Sequence, residues 1–444
     1  MKGSDTGAPD GPLSSLALGI LAVLLMALSP MALIALGLNY EDTGGSPLEK
    51  MHPATLLAAA LVLAAGIASG NPVRWALAGV AANRSLFPYL GVIALLILHS
   101  VKTVGLPFTH FIDTFILPAL LFLLFRSPEE ARGRHLAWII HALMAANAAI
   151  GIGELASGLR ITPLVAGGVA IDDDWRSTAL LGHPLANACL TGSYLLMLAL
   201  GGGRDLPGWL RPALFLLNAG AMAAFGGRAA SVLLLVTLLL IAATRLTAIL
   251  RGGTFSTVSV LKALVVAPVL ALATTVLLER GSFDLFIERF VDDKGSAETR
   301  IEMFELLRRI PFGELLLGPD AGQVATLQHM HGLEFGIESF WVSFVLSYGL
   351  VPSVVFFAAL AWFTADMLRH MQGRAAWVVG FFYAVASTSL SLSAKSPLLA
   401  VLTLMLLVLM RPLPTRAHAM GPSSTRRRSS PALMMGSAPD ARRA

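Results

Sequence analysis

Charge is scarce in this chain. Of its 444 residues only 13% are Asp, Glu, Lys or Arg, against about 25% in a soluble domain. So little charge cannot coat a water-facing surface of this size, which excludes an ordinary soluble globule. Cysteine is nearly absent as well. Cys189 stands alone inside an apolar run, so no internal disulfide can form and the loops must be held by packing. Regular apolar–polar alternation at about ten-residue spacing is also missing, which excludes a transmembrane barrel.

What the chain has in excess is apolar residue, 56% of the total, gathered into runs of roughly 17 residues or more, each long enough to cross a bilayer core of about 30 Å as a helix. The expected class is therefore an all-α polytopic membrane protein. About twelve spans are expected, near residues 13–38, 53–70, 85–101, 107–125, 135–155, 178–201, 208–225, 228–248, 259–278, 338–364, 375–392 and 396–411. The first run is too long and its start too weakly basic for a cleavable signal, so it reads as the first span.

The distribution of basic residues gives an orientation. Arg74, Arg84, Arg126, Arg132, Arg134, Arg204, Arg211, Arg245, Arg251, Arg369 and Arg374 fall in one set of short loops. Lys50, Lys102, Arg160, Arg176, Arg228 and Lys395 fall in the other. The positive-inside rule then puts both termini in the cytoplasm. The membrane domain is expected over 1–411. Residues 412–444, rich in Pro, Ser and Arg, read as a basic disordered cytoplasmic tail beside anionic lipid. Placed this way, the formal charge of +5 points to membrane lipid as partner and not to nucleic acid.

Two external loops of some size result, 156–177 and 279–337. The second is too polar to span and too long for a plain connector. Within it "AETRIEMFELLRRI" (297–310) has helical periodicity, with Ile301, Phe304, Leu307 and Arg308 on related faces, and Pro311 ends it. Such a helix beside a bilayer is expected to lie in its interface.

Chemistry-bearing residues gather on this outer side. "IDDDWRSTALLGHP" (171–184) puts three aspartates and Arg176 before a span; Asp172 and Asp174 have the spacing of a metal-holding pair, against a loop-capping role. Arg228 follows Gly226 and Gly227 at a tight turn, Arg300 opens the amphipathic segment, and Glu338 begins the tenth span. Each arginine also fits a lipid-phosphate anchor, and Glu338 also fits an acid complementing a helix N-terminus. His329 and His331 in "QHMH" suggest metal, but alternate residues do not share a helix face and no third ligand is evident, so no metal is expected. His183 reads as a packed or capping residue, and Lys395 in "SAKSP" is a weaker candidate. Guanidinium groups form two-pronged bonds to phosphate oxygens, so several converging arginines would suit a diphosphate.

The order of these segments resembles the O-antigen ligase/polymerase superfamily. "WRSTALLGHPLANACLTGSYLLMLAL", "GGRAASVLLLVTLLLI", "ETRIEMFELLRRIPFGELLLGPDAG" and "ESFWVSFVLSYGLVPSVVFFAAL" are similar to four family segments, in the family's order, with the large loop between the third and fourth. The likeness runs over roughly 135–410. The resemblance implies a glycosyltransferase fold of the GT-C type in the bacterial inner membrane, with its site facing the periplasm and no cofactor. It implies transfer of glycan from an undecaprenyl-diphosphate carrier to an acceptor hydroxyl, with a flippase and a chain-length regulator of the same pathway as partners. Arg176, Arg228 and Arg300 would hold the diphosphate, and Glu338 or His331 would take the proton. Glu338 stands where ligases usually carry histidine, which favours the polymerase branch, whose glycans include exopolysaccharides, over a ligase acting on lipid A-core. A transporter or flippase of lipid-linked sugars is the alternative from another class; it predicts repeated halves, and no repeat is evident.

Overall fold

The computed structural model describes residues 12–40, 45–103, 108–125, 130–166, 169–171, 174–252, 296–333, 337, 339–388, 392 and 394–412. The expected span at 259–278, the start of the long loop and the tail from 413 lie outside them, as do Asp172 and Glu338.

Among the described residues the protein is all-α except for one two-residue hairpin, Val165–Ala166 with Val169–Ala170. Four helices start by one device: a residue whose side chain accepts a backbone N–H of the first turn, followed by proline. Ser29 caps α2 (Pro30–Ala35), His52 caps α3 (Pro53–Ala68), Asn71 caps α4 (Pro72–Ala82) and His183 caps α9 (Pro184–Leu200). Proline suits that position because its missing N–H would have no helical partner there.

Among the described residues, three helical segments are long and apolar enough to cross a membrane: Arg132–Ser157 within α8 (Glu130–Ser157), α11 (Arg228–Leu250) and α16 (Leu350–Arg369). A fourth candidate is α3 with α4, bent by 110° at their junction. Shorter apolar helices complete the bundle: α1 (Pro12–Ala27), α5 (Leu86–Thr103), α6 (Thr109–Phe111) running through a π-turn into α7 (Leu117–Phe125), α9, α10 (Leu210–Phe225), α17 (Ala375–Thr388) and α18 (Leu398–Leu409).

Several expected spans prove to be broken rather than straight. The first is interrupted at Ser29 before Pro30, and the tenth at Gly349, between α15 (Phe340–Tyr348) and α16. The expected sixth span starts at Pro184 and not at 178. The loop expected after the second is α4. Hydropathy reports the length of an apolar run but is blind to the angle at which its two parts meet.

Burial orders the bundle. α18 is buried along its whole length and α9 along nearly all of it, and these two pack on each other and against α7, α8, α10 and α17. α11, by contrast, buries only Ala230, Leu234 and Ile241; a long apolar helix exposed on most of its faces suits a lipid surround.

One end of the bundle is tied by Arg411. Its guanidinium bonds both oxygens of Asp205 at 2.8 and 3.0 Å, and its carbonyl accepts from Arg204 and from the Gln372 side chain. Asp205 follows α9, Gln372 follows α16 and Arg411 follows α18, so the starts of all three helices face the other end, to which the described part of the long loop also leads.

That part forms α12 (Ser296–Arg309), α13 (Phe312–Leu317) and α14 (Ala321–Met330). The face expected for α12 is corrected. Met303 and Leu306 on it, and Ile310 just after it, are buried in a small core with Leu333, Ile337, Val342 and Leu346, while Ile301 and Phe304 stay 63% and 57% exposed. The segment carries two overlapping apolar stripes, and the partners on α14 and α15 select the one that docks.

Candidate functional site

The end remote from Arg411 holds three polar constellations. The first closes the 156–177 loop. Glu154, in the last turn of α8, is buried and accepts four hydrogen bonds. Its Oε1 takes the Ile161 N–H at 2.7 Å, and its Oε2 takes the Ser177 hydroxyl and the Thr178 and Ala179 N–H groups, both at 2.9 Å. One carboxylate therefore gathers both ends of the loop, which no disulfide could do here. Arg160 tightens it by donating to the carbonyls of Ile171 at 3.0 Å and Arg176 at 3.1 Å.

Arg176 emerges from this clamp beside the α10–α11 turn. The Ser177 N–H donates to the Ala224 carbonyl at 3.0 Å. Gly226 ends α10 with φ +60, and a Cβ there would lie 2.9 Å from Arg176 Cγ and 3.0 Å from the Trp175 ring. A Cβ on Gly227 would strike Ala188 of α9. Both glycines are thus required, the first for its left-handed backbone and both for close approach. Arg228 is the first residue of α11, two positions beyond Gly226. The structure brings the Arg176 side chain and the Arg228 turn together, as the sequence order alone could not guarantee.

Of the three aspartates in this stretch, only Asp174 is among the described residues. Asp174 forms a two-pronged ion pair with Arg176, with Nε 2.8 and 3.0 Å from the two carboxylate oxygens and the terminal nitrogen on one of them. Its Oδ1 also accepts the Arg176 N–H at 2.9 Å, a loop-capping geometry. Among the described residues no three His, Cys, Asp or Glu side chains gather as metal ligands. His183, just outside α9, accepts the Leu185 N–H at 3.2 Å. Burial, and then the Arg176 charge, push its pKa down to about 4.

The second constellation was not foreseen in the sequence. Asp113, fully buried in the π-turn, accepts from the Tyr40 hydroxyl at 2.9 Å, the Thr55 hydroxyl at 2.7 Å and the His52 N–H at 3.1 Å. Lys395 approaches it at 3.7 Å, lies over the Tyr40 ring and donates to the carbonyls of Tyr40 and Lys50. Lys395 is thus turned into the protein and tied to Tyr40, Lys50 and Asp113. A lone acid inside the apolar run "FIDTFILPALL" was the available signal, since ionisable residues at membrane depth nearly always have partners or functions.

The third lies on the long loop. His331 follows α14, and its Nδ1 sits 2.5 Å from Glu302 Oε2 on α12. Arg300 is on the same helix, its side chain outside the described residues. No protein-family model matches the chain, and neither a curated protein nor a solved structure does.

Proposed function

We propose that the protein is a polysaccharide polymerase of the bacterial inner membrane, with about twelve spans, a GT-C-type fold, both termini cytoplasmic and the site facing the periplasm. It transfers a glycan from undecaprenyl diphosphate to a sugar hydroxyl on a second lipid-linked repeat unit. The observation that carries the reading is the packing of the Arg176 side chain against Gly226, two residues from Arg228. The Arg176 side chain and the start of the helix that carries Arg228 come from separate sequence segments to one end of an apolar bundle, where a lipid diphosphate would present its charge. As the glycosidic oxygen departs, negative charge grows on the diphosphate, and fixed cations there are worth up to about 4 kcal/mol each before desolvation. Arg300 joins them from the long loop, and Glu338 or His331 accepts the proton of the attacking hydroxyl. No metal or other cofactor enters this chemistry, and a flippase and chain-length regulator supply and limit the chain.

The experiment is chain growth in proteoliposomes carrying a synthetic undecaprenyl-diphosphate-linked repeat, without nucleotide sugar or added metal. Longer lipid-linked glycans are the expected product. Transport of the substrate with no growth would replace the polymerase by a flippase, and transfer only to lipid A-core would replace it by a ligase.

A further inference from the structure

We infer that Glu302 and His331 form a proton-accepting dyad, His331 as the base and Glu302 as its positioning residue. The inference rests on the polymerase reading above and decides between the two bases left open there. A carboxylate can only accept, so the 2.5 Å contact from Glu302 Oε2 makes the His331 Nδ1 the donor. The ring's lone pair is then on Nε2, and 12% of the side chain is still exposed, leaving an approach for a hydroxyl.

Two other histidines at this end are wired the opposite way. His52 and His183 each accept a backbone N–H at Nδ1, so Nε2 carries the proton and no lone pair is left to act as base. His331 alone of these three pairs its Nδ1 with an acid.

The dyad is also built on rigid ground. Met303, next to Glu302, and Leu333, two residues after His331, are both buried in the small core of the long loop. The His331 N–H closes the end of α14 on the Leu327 carbonyl at 3.1 Å. A ring gaining positive charge at a helix C-terminus meets the favourable end of its dipole. Arg300, two residues before Glu302, would put a diphosphate-binding residue and the positioning acid on one helix.

The step balances within the groups named. The acceptor oxygen bonds the anomeric carbon while the bond from that carbon to the diphosphate oxygen breaks and its electron pair leaves with undecaprenyl diphosphate. The hydroxyl proton passes to Nε2 of His331, giving an imidazolium paired with Glu302, and then returns to water.

The test uses the full chain in proteoliposomes with the synthetic lipid-linked repeat. His331→Ala is expected to cut kcat about 100-fold or more with KM within about threefold, and added imidazole to restore part of the rate. Glu302→Gln is expected to cut kcat about 10- to 100-fold, with Glu302→Asp recovering part. In the His331→Ala background Glu302→Gln should cost nothing more, because it acts through the missing ring. Should His331→Ala not purify folded, His331→Gln is read in its place. Wild-type rates in the His331 variant, with Arg176→Lys and Arg228→Lys impaired, would overturn the dyad alone and leave Glu338 as base. A further loss from Glu302→Gln in the His331→Ala background would reduce Glu302 to a structural role. Absence of growth by the wild-type protein would overturn the polymerase reading and the dyad with it.

Discussion

Arg176 is held in two ways that separate experiments can pull apart. Its backbone is fixed by the Glu154 clamp and by the Asp174 cap, while its guanidinium is occupied by the Asp174 carboxylate. A diphosphate arriving at Arg176 must compete with that carboxylate. Asp174→Asn keeps an oxygen for the Arg176 N–H but removes the competing charge, so inorganic diphosphate should bind about three- to tenfold tighter, read by calorimetry on the purified protein. Arg176→Lys and Arg228→Lys keep charge but lose the two-pronged geometry, and each should lower the rate of chain growth about 10- to 100-fold. Gly226→Ala tests the packing: a left-handed alanine costs about 1–2 kcal/mol, and its Cβ would push on Arg176 Cγ. Growth should fall with only a small drop in thermal midpoint; a full rate with that drop would detach Gly226 from the site.

Elements show what was legible in the sequence and what was not. Each Ser-Pro, His-Pro or Asn-Pro pair both caps and begins a helix, yet only His52-Pro53 coincides with an expected span start; the starts at Pro30, Pro72 and Pro184 emerge only in the structure. Breaks were legible only in part: the kink at Gly349 lies inside an apolar run, while the 110° bend between α3 and α4 falls where a span end was expected, but the helix that follows it was not. The arginines of the candidate site stood out against an apolar background. Asp113, Glu154 and Glu302 were not singled out: even where an apolar setting marks the acid, as at Asp113, the sequence does not show its partners, whose donors lie 7 to 73 residues away for Asp113 and Glu154. Gly349 is the break with the sharpest consequence. Its φ is +92, and a Cβ there would press on the backbone of Leu317 at 2.5 Å and of Leu316 at 2.9 Å. Gly349→Ala should therefore lift α13 off the α15–α16 corner. Limited proteolysis is expected to cut within 312–337 at about tenfold lower protease, since opening of about 1.4 kcal/mol raises the exposed population tenfold, while α9 and α18 remain protected.

Across the whole molecule a chain with no disulfide is tied at both ends by buried charge: Arg411 with Asp205 at one, Asp113 with Lys395 at the other. Such pairs specify an arrangement more than they stabilise it, yet breaking one partner is costly. Lys395→Met, which leaves Asp113 buried and uncompensated, should destabilise by about 3–5 kcal/mol, and adding Asp113→Asn should recover most of the lost thermal midpoint. His52 contributes to the pH dependence of this end, alongside His183. The ring donates from Nε2 to the Leu28 carbonyl at 2.7 Å and accepts the Ala54 N–H at Nδ1 at 3.1 Å, and Tyr40, Asp113 and Lys395 surround it. Burial lowers its pKa below the ordinary 6.5; Lys395 lowers it further, and the Leu28 bond and Asp113 oppose the shift only in part. The unfolded chain therefore binds this proton at a higher pH than the folded one. Stability from the neutral ring is fully present above about pH 6.5 and is lost progressively as pH falls below it. The thermal midpoint should thus fall between pH 7.5 and pH 5. Asn already caps the same His/Asn-Pro start at position 71, so His52→Asn keeps the cap and removes the titration. Its midpoint should be lower than wild type at pH 7.5 and the gap should narrow as pH falls to 5, whereas parallel curves would mean that His52 contributes nothing to the pH response.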